Sequence, residues 1–115
     1  MSWATAAIEA LSRGETAHIR PRGHSMTGRV NDNDRVTVAP CDPATLAAGD
    51  IVLVRVGRSD YLHLIKAKEG AGTGMQFLIG NNRGGVNGWV GANAIFGRAV
   101  AVESGARDGA GAAAP

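Results

Sequence analysis

Ile51-Val52-Leu53-Val54-Arg55-Val56 is the stretch that most limits what this chain can become. In an extended chain, successive side chains point to opposite faces. Ile51 and Leu53 then share one face, and Val52, Val54 and Val56 share the other. Both faces are apolar, so the run needs cover on both sides and is expected to be a central strand. Gly49-Asp50 before it reads as a tight turn, and Gly57-Arg58-Ser59-Asp60 after it as a hairpin. The following strand is expected over residues 61–67. There Tyr61, His63 and Ile65 share one face, and Leu62, Leu64 and Lys66 the other.

Other short runs repeat this pattern. Residues 17–20 read as a first strand closed by Pro21, which cannot donate to a ladder. Residues 35–39 alternate, with Val36 and Val38 on one face. Further strands are expected over residues 75–79, briefly at Trp89-Val90, and over residues 94–102, where Gly97 marks a bulge. Asp42 followed by Pro43 opens a single helical turn through Leu46. The only helix of any length is expected over residues 2–12, with Ser2 as N-cap, one face of Trp3, Ala7, Ala10 and Leu11, and Gly14 as its stop. Residues 69–74 and 80–85 are glycine-rich loop and turn. The first is not a phosphate loop, because the Lys-Ser/Thr pair and the following helix are missing. The expected architecture is one mostly β domain over residues 1–103, residues 1–14 forming its helical start, and a disordered Gly/Ala-rich tail over residues 104–115.

Composition narrows the function classes. The 115 residues are 44% hydrophobic and 19% charged, an ordinary globular balance for a single modest core. The net charge is +2, and Arg20, Arg22, Arg29 and Arg35 are dispersed rather than gathered on a motif, so no nucleic-acid partner is expected. No apolar run reaches the roughly 20 residues of a membrane span. The first residues lack the basic and apolar regions of a signal peptide, so the expected location is the cytoplasm. Cys41 is the only cysteine and reads as a packed small residue. No His or further Cys lies at ligand spacing from it, and neither a metal nor another cofactor is expected.

The chemistry-bearing residues are few. Ser25 sits in Gly23-His24-Ser25-Met26, just ahead of the polar turn Asn31-Asp32-Asn33-Asp34. A turn of this kind exposes the hydroxyl, which on the residues alone reads first as a turn-forming serine capping local amides and becomes a nucleophile only where a base takes its proton. His63 titrates near neutrality and can be that base. On its own, a histidine between Leu62 and Leu64 reads more readily as a half-buried structural residue than as a base. Lys66 is a rival base if desolvated, but strand alternation turns it away from His63. His24 adjoins Ser25 and reads as pointing away; Lys68 reads as a solvated strand end. Asp60, Asn81 and Asn82 are candidates for fixing the tautomer of a histidine base. Oxyanion donors would be the backbone N–H groups of Ser25 and its neighbour His24.

Six of these segments together resemble the signal-peptidase and LexA-like serine peptidases. Gly23-His24-Ser25-Met26 is similar to their serine motif, and Asn31 to Val38 to their "DGD-V-V" segment. Gly49-Asp50-Ile51-Val52 resembles the second "GD-I/V-V". Tyr61-Leu62-His63-Leu64-Ile65 lies where members carry the base. Gly80-Asn81-Asn82 is similar to the "GDN" turn, and Ile95 to Val100 to the closing "I-G-K-V-V" strand. The resemblance covers residues 18–102. It departs in having Thr27-Gly28 where members have a proline, Asn33 for the usual glycine, and Asn81 where His-type members have an aspartate. It implies coiled antiparallel β-sheets, a Ser25–His63 dyad and Asn81 as the orienting group. It further implies an endopeptidase acting in trans on a peptide or protein, expected here without the membrane anchor of a signal peptidase or the DNA-binding domain of a LexA-type repressor. The alternative is a weak or inactive module of the same fold that binds an extended peptide. Self-cleavage ahead of Ser25 is not expected, since the glycines there follow Arg13 and Arg22 rather than a small residue.

Overall fold

The apolar run Ile51–Val56 lies inside a sheet, hydrogen-bonded along both edges, as its two apolar faces demand. The computed structural model describes residues 3–104; the expected Ser2 cap and the expected tail beyond Ser104 lie outside the described residues. Within them, helix α1 (Thr5–Ser12) precedes seven strands: β1 (Ala17–Ile19), β2 (Arg35–Ala39), β3 (Ile51–Val56), β4 (Ser59–Glu69), β5 (Gln76–Gly80), β6 (Val86–Gly91) and β7 (Ile95–Glu103). They form one sheet in the order β1-β2-β7-β3-β4-β5-β6, with every pairing antiparallel. The mostly β expectation therefore holds.

Alternation along β3 divides the core in two. Ile51 and Leu53 pack with Leu62, Leu64, Val36 and Val38, and with Ala4, Ala7 and Leu11 at the helix. Met26 and Val30 from the serine loop join this cluster. Val52 and Val54 pack on the other side with Ile65, Phe77, Ile79, Ile95 and Leu46. Leu46 arrives there from a single 3-10 turn, Pro43–Thr45, which Asp42 caps by accepting the Ala44 N–H. Cys41 is half-buried against this second cluster, and burial raises its thiol pKa.

Several boundaries differ from the sequence reading. The helix begins at Thr5 with Ala4 at its N-cap, and Ala4 rather than Trp3 is buried; Trp3 is 53% exposed. The β3–β4 hairpin turns on Gly57-Arg58 alone, with Gly57 at φ +63, and Val56 already pairs with Ser59. The two-residue turn is held by a cross-strand pair: Arg55 donates to both Asp60 carboxylate oxygens, at 2.7 and 3.2 Å. Strand β4 continues to Glu69 because Gln76 pairs with it across the hairpin. Strand β6 is longer than Trp89-Val90 for the same reason, being paired with β5 from Val86 onward.

Strands β4, β6 and β7 carry extra residues. The register skips Lys66 in β4, Asn87 in β6, and Phe96 and Val100 in β7. The bulge expected at Gly97 is thus centred one residue earlier, and Gly97 serves a different need. A Cβ there would stand 2.7 Å from the Ala39 carbonyl oxygen and 2.8 Å from a Val38 methyl carbon, closer than real side chains approach. Gly97→Ala is therefore expected to destabilise the fold by about 1–3 kcal/mol, as overpacking does. Urea denaturation checks this; a variant as stable as the parent would show that β2 and β7 can separate at no cost.

Candidate active site

Ser25 is positioned by a short polar loop that is tied down at every turn. Asp32 Oδ1 accepts the Gly23 N–H at 2.7 Å, Asn31 Oδ1 accepts the Gly28 N–H at 3.1 Å, and buried Asp34 accepts the Asn31 N–H at 2.8 Å. Asn33, at φ +68, takes the left-handed conformation that asparagine tolerates better than most residues. Met26 and Val30 sink into the core as one turn, closed by the Val30 N–H on the Met26 carbonyl at 2.7 Å. The far side of the loop is clamped by Asn82. Its backbone N–H donates to the Ser25 carbonyl at 2.9 Å and its side-chain amide to the Thr27 carbonyl at 2.8 Å. Ser25 itself is exposed.

His63 stands on β4, opposite Val52 of β3, and is only 6% exposed. Tyr61, two residues earlier on the same face, stacks on the ring with centroids 4.7 Å apart. His63 Nε2 lies 3.2 Å from Ser25 Oγ. On the other side of the ring, Nδ1 is 2.7 Å from Asn87 Oδ1. An amide oxygen only accepts, so Nδ1 carries the hydrogen. Nε2 is then the acceptor, and the Ser25 hydroxyl donates to it. Burial lowers the His63 pKa below its ordinary 6.5, opposed in part by the bond to Asn87. The ring is therefore neutral near pH 7, the state a base needs.

The residues expected to orient the ring do other work. Asn81 Oδ1 accepts the N–H groups of Arg83 and Gly85 at 2.9 and 2.8 Å, closing the β5–β6 turn. Asp60 is engaged by Arg55. Lys66 occupies the β4 bulge, and its methylene chain lies against Gly80. Lys68 is not a merely solvated end: its ammonium donates to the Ala44 and Leu46 carbonyls at 3.1 and 2.8 Å. Asn87 replaces all of them beside the ring. It is the extra residue of the β6 bulge, and a bulge re-aims a side chain that regular alternation would send elsewhere. The signal was legible in Val86-Asn87-Gly88, a polar residue before a glycine inside a strand, where Gly88 adopts φ +139.

Ser25 and His63 open onto a cleft of about 340 Å³. Its walls include Met26, Val30, Leu62 and Tyr61, with Trp3, Arg20, Arg22 and Asp60 also lining it. Among the described residues, no acceptor engages the backbone N–H of His24, Ser25 or Met26. Also among them, no three His, Cys, Asp or Glu side chains gather as a metal site would need, and no helix is long and apolar enough to cross a membrane. No protein-family model matches this chain, and no curated protein matches it.

The ring's setting fixes the sign of a titration. Because the unfolded chain protonates His63 first as pH falls through 6.5, this group's contribution weakens the fold below that pH and not above it. By NMR, His63 is expected to titrate below 6.5 with Nδ1 protonated in the neutral form. Asn87→Leu is expected to lower the pKa further, since it removes the one interaction that favours the charged ring. A pKa that rises in Asn87→Leu would contradict this arrangement.

Proposed function

We propose that this protein is a serine hydrolase of the peptidase type, with Ser25 as nucleophile, His63 as base and Asn87 as the group that orients His63. The observation that carries it is the continuous chain Ser25 Oγ–His63–Asn87, at 3.2 and 2.7 Å, opening on a cleft. Geometry of this kind lets the Ser25 oxygen attack a carbonyl carbon as its proton passes to Nε2. The unengaged N–H groups of Ser25 and its neighbours supply donors for the resulting oxyanion. Nε2–H then protonates the departing amine, the acyl group stays on Ser25, and water attacks with His63 again as base. Neutral Asn87 holds the tautomer without balancing the imidazolium charge, so turnover is expected to be slow.

We infer with it that the sheet has the coiled antiparallel form of signal-peptidase and LexA-like peptidases and that the substrate is an extended peptide. The resemblance of six ordered segments supports it, as does an open cleft beside the serine rather than a closed chamber. The non-catalytic alternative, a peptide-binding module, would share the cleft, and a buried imidazole calls for a partner on each nitrogen in either case; what favours the hydrolase is that the partner at Nε2 is the hydroxyl of an exposed serine at the cleft.

A fluorophosphonate probe tests the proposal. Its phosphorus is attacked by the Ser25 oxygen, fluoride leaves, and the adduct is mapped by mass spectrometry. Labelling is expected at Ser25, to vanish in Ser25→Ala, and to slow about 10²–10⁴-fold in His63→Gln, the usual worth of a general base. Labelling that persists in Ser25→Ala, or that never occurs in the parent, would overturn it.

A further inference from the structure

The cleft carries more charge than acyl transfer needs. Arg20 and Arg22 flank Pro21 just after β1, and both line the cleft that holds Ser25 and His63. Arg13 pairs with Glu15, Arg35 with Glu103 and Arg55 with Asp60, whereas Arg29, Arg58, Arg83 and Arg98 pair with no carboxylate among the described residues and do not line the cleft. Arg20 and Arg22 have no carboxylate partner among the described residues; the hydrogen bond of Arg20 is a 3.3 Å donation to the Asn33 carbonyl. The one carboxylate lining the cleft, Asp60, already takes two N–H groups of Arg55. Two arginines without a carboxylate partner thus line the cleft, beside an apolar wall that includes Trp3, Tyr61 and Leu62.

We propose that this cleft selects peptide segments carrying an aspartate or glutamate next to an apolar residue, the carboxylate meeting Arg20 and Arg22 and the apolar side chain the Trp3–Tyr61–Leu62 wall. A guanidinium fork matches a carboxylate with two parallel N–H donors, which a lysine cannot do. Field lines in a low-dielectric cleft are concentrated, so two unbalanced charges there attract an anion more strongly than the same charges on an open face. A nucleic acid would need a wider basic face than two arginines and would meet the apolar wall with no base-reading element. The preference names the substrate class for the hydrolase proposed above and rests on that reading only for the cutting step; the binding preference stands apart from it.

The test uses the full chain as Ser25→Ala, so that nothing is cut. Fluorescein-labelled decapeptides, identical except for Asp, Asn or Lys on either side of a central Val-Ala pair, are titrated by fluorescence anisotropy. An exposed charge pair contributes up to about fivefold in affinity, so two should favour the Asp peptide about tenfold over Asn at low salt. The advantage should shrink as salt shortens the screening length from about 30 Å to about 8 Å. Adding Arg20→Glu and Arg22→Glu should reverse the order, Arg20→Gln with Arg22→Gln should level it, and Arg13→Glu should leave it alone. Equal binding of the three peptides, no measurable binding of any, a preference that survives in the Glu double variant, or displacement by oligo-dT as effective as by the Asp peptide would each overturn the inference. A clear Asp preference in a protein whose Ser25 never reacts with the fluorophosphonate would leave it standing and remove the hydrolase reading; a reactive Ser25 without charge preference would do the reverse.

Discussion

The 2.7 Å hydrogen bond from His63 Nδ1–H to Asn87 Oδ1 governs the chemistry open to this site. Without it the proton of a neutral imidazole could sit on either nitrogen. With it the proton sits away from Ser25, and Nε2 faces the hydroxyl as an acceptor. Burial contributes the other half. A ring that is almost wholly enclosed and lacks an adjacent carboxylate acceptor resists protonation, so it remains a base where a solvated histidine would begin to charge. The same choice limits the site: an amide fixes geometry but offers no countercharge once the ring takes the proton.

That bond depends on the β5–β6 hairpin, which works as a single positioning unit. Asn81 closes its turn by accepting two backbone N–H groups. Asn82, the next residue, grips the serine loop through its backbone and its side chain. Asn87, displaced by the bulge, reaches the ring of His63. Ser25 and His63 lie 38 residues apart in the chain, yet both are held from this one hairpin. The core supports the arrangement from below, since Met26 and Val30 anchor the serine loop in the cluster that includes Leu62 and Leu64, the neighbours of His63.

Much of the fold was legible because strand chemistry is local. Val36 and Val38, the two-sided run from Ile51, and the Asp42-Pro43 turn each follow from alternation or from a fixed backbone dihedral, and the structure has them where the pattern puts them. Boundaries were less legible, because Ser59, Glu69 and Val86 join strands only through partners across a hairpin. At the site, the sequence led to Ser25 and His63 through ordered segments, and the structure brings those two side chains together. It led to Asn81 for the orienting group, where the structure has Asn87. A bulge adds one residue to one strand, and a two-residue period counted along the chain passes over it; the hint lay in Gly88, a glycine beside the extra residue. Asn82 was considered only as a partner for the ring; that it clamps the serine loop is a tertiary contact with no local signature.

The central claim is that Ser25 depends on the neutral form of His63. The most direct measurement is the second-order rate of fluorophosphonate labelling across pH, set beside the NMR titration of His63 in the same protein. The account predicts a rate that rises through a single ionisation at the His63 pKa, below 6.5, and then levels; in His63→Gln the residual rate should lose that step. A rate that climbs with hydroxide alone, or a step of unchanged position in His63→Gln, would show that Ser25 reacts without His63 and would contradict the account.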